Sequence, residues 1–259
     1  MDTELFQHIK RKKFFIILAV FLVSYFNQKN YRRVNDINPA LLREPVQIAA
    51  ESREQIKFVK DGYEYSLTPL YHYEINAFLA GIMDYRLFNV YQNSSVFPVD
   101  LCLIWGDNVR NRLYKSQSVR FSQDCRFCLV SWPQGMHFNP NEMSNNHLLV
   151  KDERILSKIK GLAPGDQLKL KGALVNVEVK AIGKPVQATI TWRTSTSRAD
   201  DGAGACEVIY VEDIEVLKRA NILWRVMYKI SFYALVLLII WNVIILFRPL
   251  PRTQSRLPA

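Results

Sequence analysis

The sequence predicts a mainly β soluble domain, α+β in class with one helix, flanked by two transmembrane α-helices. Three observations carry that expectation. Ile230 to Phe247 contains no charged side chain. Phe14 to Phe26 is a second apolar stretch, preceded directly by Lys10-Arg11-Lys12-Lys13. Between them, runs rich in β-branched and aromatic residues are separated by turn signals, Asp61-Gly62 foremost, the pattern of short strands joined by tight turns.

In chain order, residues 1–13 read as a basic cytoplasmic tail and residues 14–28 as a transmembrane signal anchor. The apolar part of that anchor is short for a bilayer. Lys12 and Lys13 lengthen it by snorkelling, and Asn27 and Gln28 suit the far interface. The following SYFNQKNYRR offers no small-x-small pair for a signal peptidase, so the segment is expected to stay. Residues 29–55 are polar and interrupted by Pro39 and Pro45, which reads as a stalk.

Residues 56–217 form the expected extracytoplasmic domain. IKFVK-DG-YEYSL is a hairpin; YHYEINAFLAGI, DLCLIWG and SVRFSQDCRFCLVSW are further strands. In KDERILSKIKG, Ile155, Leu156 and Ile159 share one helical face, and Gly161 ends the helix. Pro164-Gly165-Asp166 then turns into QLKLKGALVNVEV. Leu168, Leu170 and Leu174 lie on one face of this strand and Val175, Val177 and Val179 on the other. The register slips just past Gly172, which calls for a bulge or sharp bend. Residues 218–229 are a basic and aromatic interfacial segment, 230–247 the second membrane helix, closed by Arg248-Pro249, and 248–259 a cytoplasmic tail.

The formal net charge is +10. Residues 1–13 contribute +2, residues 218–229 +4 and residues 248–259 +3, leaving +1 for everything between. Basic groups that flank apolar segments meet lipid headgroups; nucleic-acid binding would gather them on the folded domain, so no nucleic-acid partner is expected. Orientation is nearly balanced, with seven Lys/Arg in the tails against eight at the membrane-proximal loop ends. The cluster before the first helix breaks the tie and puts both termini in the cytoplasm.

All four cysteines, Cys102, Cys125, Cys128 and Cys206, fall in the central domain. In an oxidising compartment they allow up to two disulfides in three pairings. Cys125-Arg-Phe-Cys128 has a redox spacing, but LVSW follows where a thiol-activating helix would be needed. Residues three apart in a strand face opposite ways, so these two are not expected to join each other. Structural disulfides or buried thiols are the expected state. His72, His137 and His147 have no metal-ligand spacing, and no phosphate-binding or nucleophile-elbow motif is present. No metal, cofactor or catalytic residue is therefore assigned. A Cys206–His147 nucleophile pair would require the fold to bring the two together, and a hydrogen-bonded structural histidine is the expectation.

The stretch from Arg193 to Cys206, RTSTSRADDGAGAC, is the densest in polar chemistry. Gly202 and Gly204 tolerate positive φ, so backbone N–H groups could converge on an anion beside Arg193, Arg198, Asp200 and Asp201. The simpler reading is a hairpin loop between ATITWRTS and CEVIYVEDIEVL, its hydroxyls and carboxylates satisfying local backbone. In the second strand, Val208, Tyr210, Ile214 and Val216 alternate with Glu207, Asp213 and Glu215, as in a half-buried strand. Within the second membrane helix, Asn242 is expected to seek a polar partner on another helix.

Residues 152–217, a helix and turn feeding a long strand bent at glycine, resemble part of an OB-like small barrel. YEYSLTPLYHYEI, LCLIWG, NNHLL, PGDQLKLKGALV and TSTSRADDGAGACEVIYVEDIEVL resemble a group of uncharacterised bacterial membrane-anchored proteins. That resemblance supports a helix-flanked, partly β architecture alone and carries over no functional residue; with the two apolar segments, the expected location is the bacterial inner membrane, with the central domain extracytoplasmic. The expected role is a non-enzymatic structural, assembly or docking subunit of an envelope complex. Its expected partners are the lipid bilayer and other membrane protein subunits or a second copy. Ligand sensing by the 193–206 loop and cysteine-dependent chemistry are the alternatives.

Overall fold

A computed structural model of the chain describes residues 3–85, 97–124, 126–183, 189–200 and 205–247. The described residues contain four α-helices: α1 (Thr3–Asn27), α2 (Gly106–Arg110), α3 (Glu153–Lys160) and α4 (Ile222–Leu246). They also contain ten strands: β1 (Val46–Ala49), β2 (Ile56–Lys60), β3 (Tyr63–Asp84), β4 (Val99–Ile104), β5 (Arg120–Asp124), β6 (Phe127–Ser131), β7 (Met143–Leu149), β8 (Gln167–Ala181), β9 (Thr189–Trp192) and β10 (Cys206–Lys218). The chain divides into a helical unit, 1–28 with 222–259, and a sheet unit, 29–221.

The sheet unit is organised by β3, whose two edges have different neighbours. One edge is covered almost end to end by antiparallel β8. The other is shared by β2, β1 and β4 in succession. β4 pairs with β7, β7 runs parallel to β10, and β10 pairs with β8. Since β8 pairs with β3, the five strands β3–β4–β7–β10–β8 close into a ring, with α3 between β7 and β8 in sequence.

Local chemistry explains the elements that were legible. Asp61 (φ 53°) and Gly62 (φ 79°) form the two-residue turn between β2 and β3. Asp152 accepts a bond from the Arg154 N–H and caps α3, and the helix buries Leu156 and Ile159. At Gly172 the expected bend takes a specific form. β8 stays continuous while both partners bulge, β10 at Glu212 and β3 at Leu70. Leu168, Leu170 and Leu174 therefore enter the core with Tyr73, Trp105 and Ile209. Beyond the bend, Val175, Val177 and Val179 pack with Tyr65, Phe97 and Val208.

Three expectations are corrected. Residues 29–55 are not a free stalk: β1 pairs with β3, Leu41 is fully buried, and Tyr31, Val34, Ile37 and Leu42 pack on a third cluster around Phe78 and Tyr114. The SVRFSQDCRFCLVSW run is not one strand but the β5–β6 hairpin, a separate two-stranded sheet that turns near Arg126, held at φ 73°. The strands β9 and β10 are not the two arms of a hairpin, because among the described residues they do not pair with each other. Both lie antiparallel on the same edge of β8, so the chain leaves that edge after Trp192 and rejoins it at Cys206.

In the helical unit, α4 alone among the described helices is long and apolar enough to cross a membrane, over Ile222–Ile245. Its 24 residues span about 36 Å at 1.5 Å each. The first helix extends beyond the expected membrane segment 14–28 on its N-terminal side. It starts at Thr3 and runs through the basic cluster, so its apolar part is only a portion of its length. The two helices pack through rings, Phe21 stacking on Tyr228 at 5.3 Å and approaching Phe232 at 6.3 Å. Ser24 and Ser231 are buried among them, the small residues that let helices approach closely. Asn242 lies exposed on α4. The tail 248–259 is outside the described residues.

Candidate functional site

A cavity of about 570 Å³ opens in the sheet unit between β7, the start of β10 and the 191–200 segment. It is lined by Arg126, Phe127, His147, Trp192, Arg193, Ser195, Asp200 and Cys206, with Thr191, Thr194 and Thr196.

Strand β7, MSNNHLL, contributes His147 to the lining. All but the first residue are buried, including Ser144, Asn145, Asn146 and His147. Buried polar groups need partners: Asn146 donates to Ser144 and to the Leu101 carbonyl, Asn145 donates to the Arg126 carbonyl and to Cys206, and His147 adjoins Asp100, a fully buried carboxylate of β4. Asp100 Oδ2 accepts from Tyr85 Oη at 2.8 Å. Its Oδ1 accepts from Arg126 Nη1 at 3.2 Å and lies 2.9 Å from His147 Nδ1. The His147 contact is short but poorly aligned for a straight hydrogen bond. Arg126 also donates to the Phe97 carbonyl at 2.6 Å and stacks on Tyr85 with 3.7 Å between guanidinium and ring. Those contacts hold a non-glycine residue at positive φ, a conformation that clusters at functional sites.

His147 is fully buried between the rings of Phe97 and Trp192, 5.8 and 4.8 Å away. Burial alone would lower its pKa; the adjoining Asp100 carboxylate and Cys206 outweigh that and raise it to about 9. Cys206 is a buried free thiol whose sulfur accepts from Asn145 Nδ2 at 3.3 Å. Asn145 is itself fixed by donating to the Arg126 carbonyl at 2.6 Å.

The described part of the loop segment is tied down at several points, with Thr194 and Ser195 buried and Arg193, Thr196, Ser197, Ala199 and Asp200 exposed. Ser195 N donates to the Cys206 carbonyl, closing the excursion at its base, and Ser195 Oγ donates to Asp200 at 2.8 Å. Thr194 Oγ1 accepts from Val208 N at 2.9 Å. Arg198 reaches the opposite face of β10, pairing with Glu207 at 2.8 Å and packing on the rings of Tyr73 and Trp105. Glu207 is likewise buried, not a solvent-facing acid, and its Oε2 has no hydrogen-bond partner.

Burial pushes Glu207 up to about 7 against the pull of the Arg198 guanidinium. A carboxyl raised in the fold disfavours folding once ionised, so its stabilising contribution is complete below pH 4.5 and lost as pH rises towards 7. Glu207→Gln should remove that loss. In thermal melts from pH 4.5 to 7.5, the variant should gain on the wild type as pH rises. A constant difference between the two would show that Glu207 does not titrate in the fold.

Of the residues the sequence singled out, the structure brings Arg193, Asp200 and Cys206 to one cavity and places Arg198 behind it. Asp201, Gly202 and Gly204 lie outside the described residues, so the anion cradle expected on those glycines does too. Cys102 and Cys128 form a disulfide that ties the β5–β6 hairpin to β4; Cys125 is outside the described residues. His147 meets Cys206, whereas His72 and His137 stay exposed. Sequence reading missed Asp100, Arg126 and Asn145. The available signal was SNNH itself, a polar run inside a stretch flanked by apolar strand residues.

Comparison with known protein families, characterised proteins and solved structures finds no match to this chain.

Proposed function

We propose that this protein is a membrane-anchored, extracytoplasmic binding domain of OB-like architecture that takes a small anionic ligand. The cavity carries the proposal: an aromatic wall, hydroxyls and the cations of Arg126, Arg193 and His147 converge on one concave space, the usual make-up of a small-molecule site. Asp200 is the acid on the same rim and is engaged by Ser195. The order of the five-stranded ring, with its helix after the third strand, supports the OB-like reading. In that architecture, ligands lie against the second and third strands and the connection between the last two; here the cavity takes His147 from β7 and residues 191–196 with Asp200 from the β8–β10 connection. The Cys102–Cys128 bridge supports an oxidising, extracytoplasmic compartment. The length of α4 supports anchoring, with α1 as the second span in the reading proposed here.

The test uses the full chain in detergent micelles with a panel of small carboxylates and phosphates. A bound anion should raise the melting temperature with concentration, and Arg193→Glu should abolish the rise. Equal shifts in wild type and variant, or none in either, would sink the proposal.

A second reading, docking to another membrane subunit or a second copy, is favoured by α4. Only 11% of its apolar window is buried within the chain, and Asn242 is exposed on it. An amide in hydrocarbon gains about 1 kcal/mol from a polar partner. Asn242→Leu should therefore weaken any detergent-stable assembly on native gels, and an unchanged assembly would remove this contact.

A further inference from the structure

We propose that Cys206, His147 and Asp100 form a nucleophilic acyl-transfer site in which Cys206 attacks the carbonyl of an ester or thioester held in the cavity. The proposal rests on the reading that the cavity takes a ligand, and it names that ligand as an acyl donor. Three observations converge. Cys206 and His147 both line the cavity, two residues apart in register on the paired parallel strands β10 and β7. Asp100 is fully buried, 2.9 Å from His147 Nδ1, and orients the ring from the side away from the cavity lining. Neither ring nitrogen has a well-aligned hydrogen-bond partner although the residue is fully buried. A nucleophile beside a base that is oriented by a third group is the recurring arrangement for covalent catalysis.

A structural cysteine explains the same position less well. Inert buried thiols sit in apolar surroundings, whereas Cys206 is met by an amide donor and an imidazole and faces open space. The thiolate is the attacking species, and a neighbouring cation favours it. Asn145 Nδ2, donating to the sulfur at 3.3 Å, supports negative charge there. Arg193 on the rim suits an acyl donor bearing an anionic group.

The step balances without an external oxidant or reductant. With its pKa raised to about 9, His147 is already an imidazolium at neutral pH, and the Cys206 thiolate beside it attacks so that Sγ bonds to the carbonyl carbon. The C–O or C–S bond to the leaving group then breaks, and His147 gives its proton to the departing oxygen or sulfur. The resulting thioester on Cys206 is released by water or by an acceptor hydroxyl or amine. That acceptor gives its proton to His147 and takes the acyl group as the C–S bond breaks. Asp100 touches none of the reacting atoms and is a positioning residue.

The full chain in detergent micelles, treated with p-nitrophenyl acetate, tests this. The expected result is a burst of nitrophenolate of at most one equivalent per chain, with the acetyl group mapped to Cys206 by peptide mass spectrometry. Cys206→Ser should lose that acetyl-thiol while still melting cooperatively. His147→Gln should slow acylation by about 10²- to 10⁴-fold. Asp100→Asn should slow it as well and also move its pH profile, a change that loss of stability alone does not produce. No acetyl on Cys206 in the folded wild type, or equal acylation in folded His147→Gln, overturns the proposal. Anion-dependent melting shifts read the binding separately. If they persist without an adduct, the chemistry fails and the binding reading stands; if an adduct forms without them, the anion reading fails alone.

Discussion

Gly172→Ala should destabilise the sheet unit by about 3 kcal/mol or more, at the upper end of overpacking effects. A Cβ at this position would lie 2.1 Å from the Tyr210 carbonyl oxygen and 3.1 Å from its carbon. Those atoms belong to the backbone of β10 and cannot rotate aside as a side chain would. The approach is that close because Gly172 pairs with Val211 on one edge and Tyr73 on the other, where β10 and β3 both bulge nearby. Gly62→Ala is the control. It has open space around its Cβ and only a positive φ to satisfy, which costs about 1 kcal/mol. Urea melts of the two variants should separate clearly. If Gly172→Ala loses no more than Gly62→Ala, the strands do not approach closely at the bend.

That glycine also shows what kind of information the sequence carries. The slip from Leu168, Leu170, Leu174 to Val175, Val177, Val179 announces a bend because the period of a strand is local. The Asp61-Gly62 turn and the α3 cap at Asp152 are local for the same reason. What the sequence does not disclose is which strand takes which edge. Thr189–Trp192 has hairpin-like spacing to Cys206, yet both segments add to β8, since β8 is long enough to offer 167–174 to one and 177–180 to the other. The 29–55 segment looks like a stalk because its apolar residues are sparse; Leu41 reveals its role only once Phe78 and Tyr114 stand beside it. The site follows the same rule. Asp100 in DLCLIWG and His147 in SNNHLL are isolated polar residues among apolar ones, and only the antiparallel pairing of Asp100 with His147 brings them together.

Asp100→Ala should be the most damaging side-chain truncation in the sheet unit, at about 3–5 kcal/mol, because it leaves partner charges buried without compensation. The side chain is only 1% exposed, and its partners Arg126 and His147 are 9% and 0% exposed, so water cannot replace the carboxylate. Asp100→Asn separates the two partners by pH. In the wild type, burial opposes the His147 proton and Asp100 with Cys206 retains it, so the pKa stands at about 9 against an ordinary 6.5. A group raised in the fold stabilises it fully below its unfolded pKa and loses that contribution as pH rises through the folded one. His147 therefore stabilises the fold below pH 6.5 and ceases to do so near pH 9. In Asp100→Asn the carboxylate is gone and only Cys206 remains against burial, so that contribution shrinks. The stability gap between wild type and Asp100→Asn should be widest near pH 6 and narrow towards pH 9; what remains at high pH reflects the lost Arg126 pairing. Equilibrium unfolding in urea at pH 6, 7.5 and 9 measures this gap directly. A gap that is constant across the three would mean that His147 is neutral throughout, and that Asp100 serves Arg126 alone.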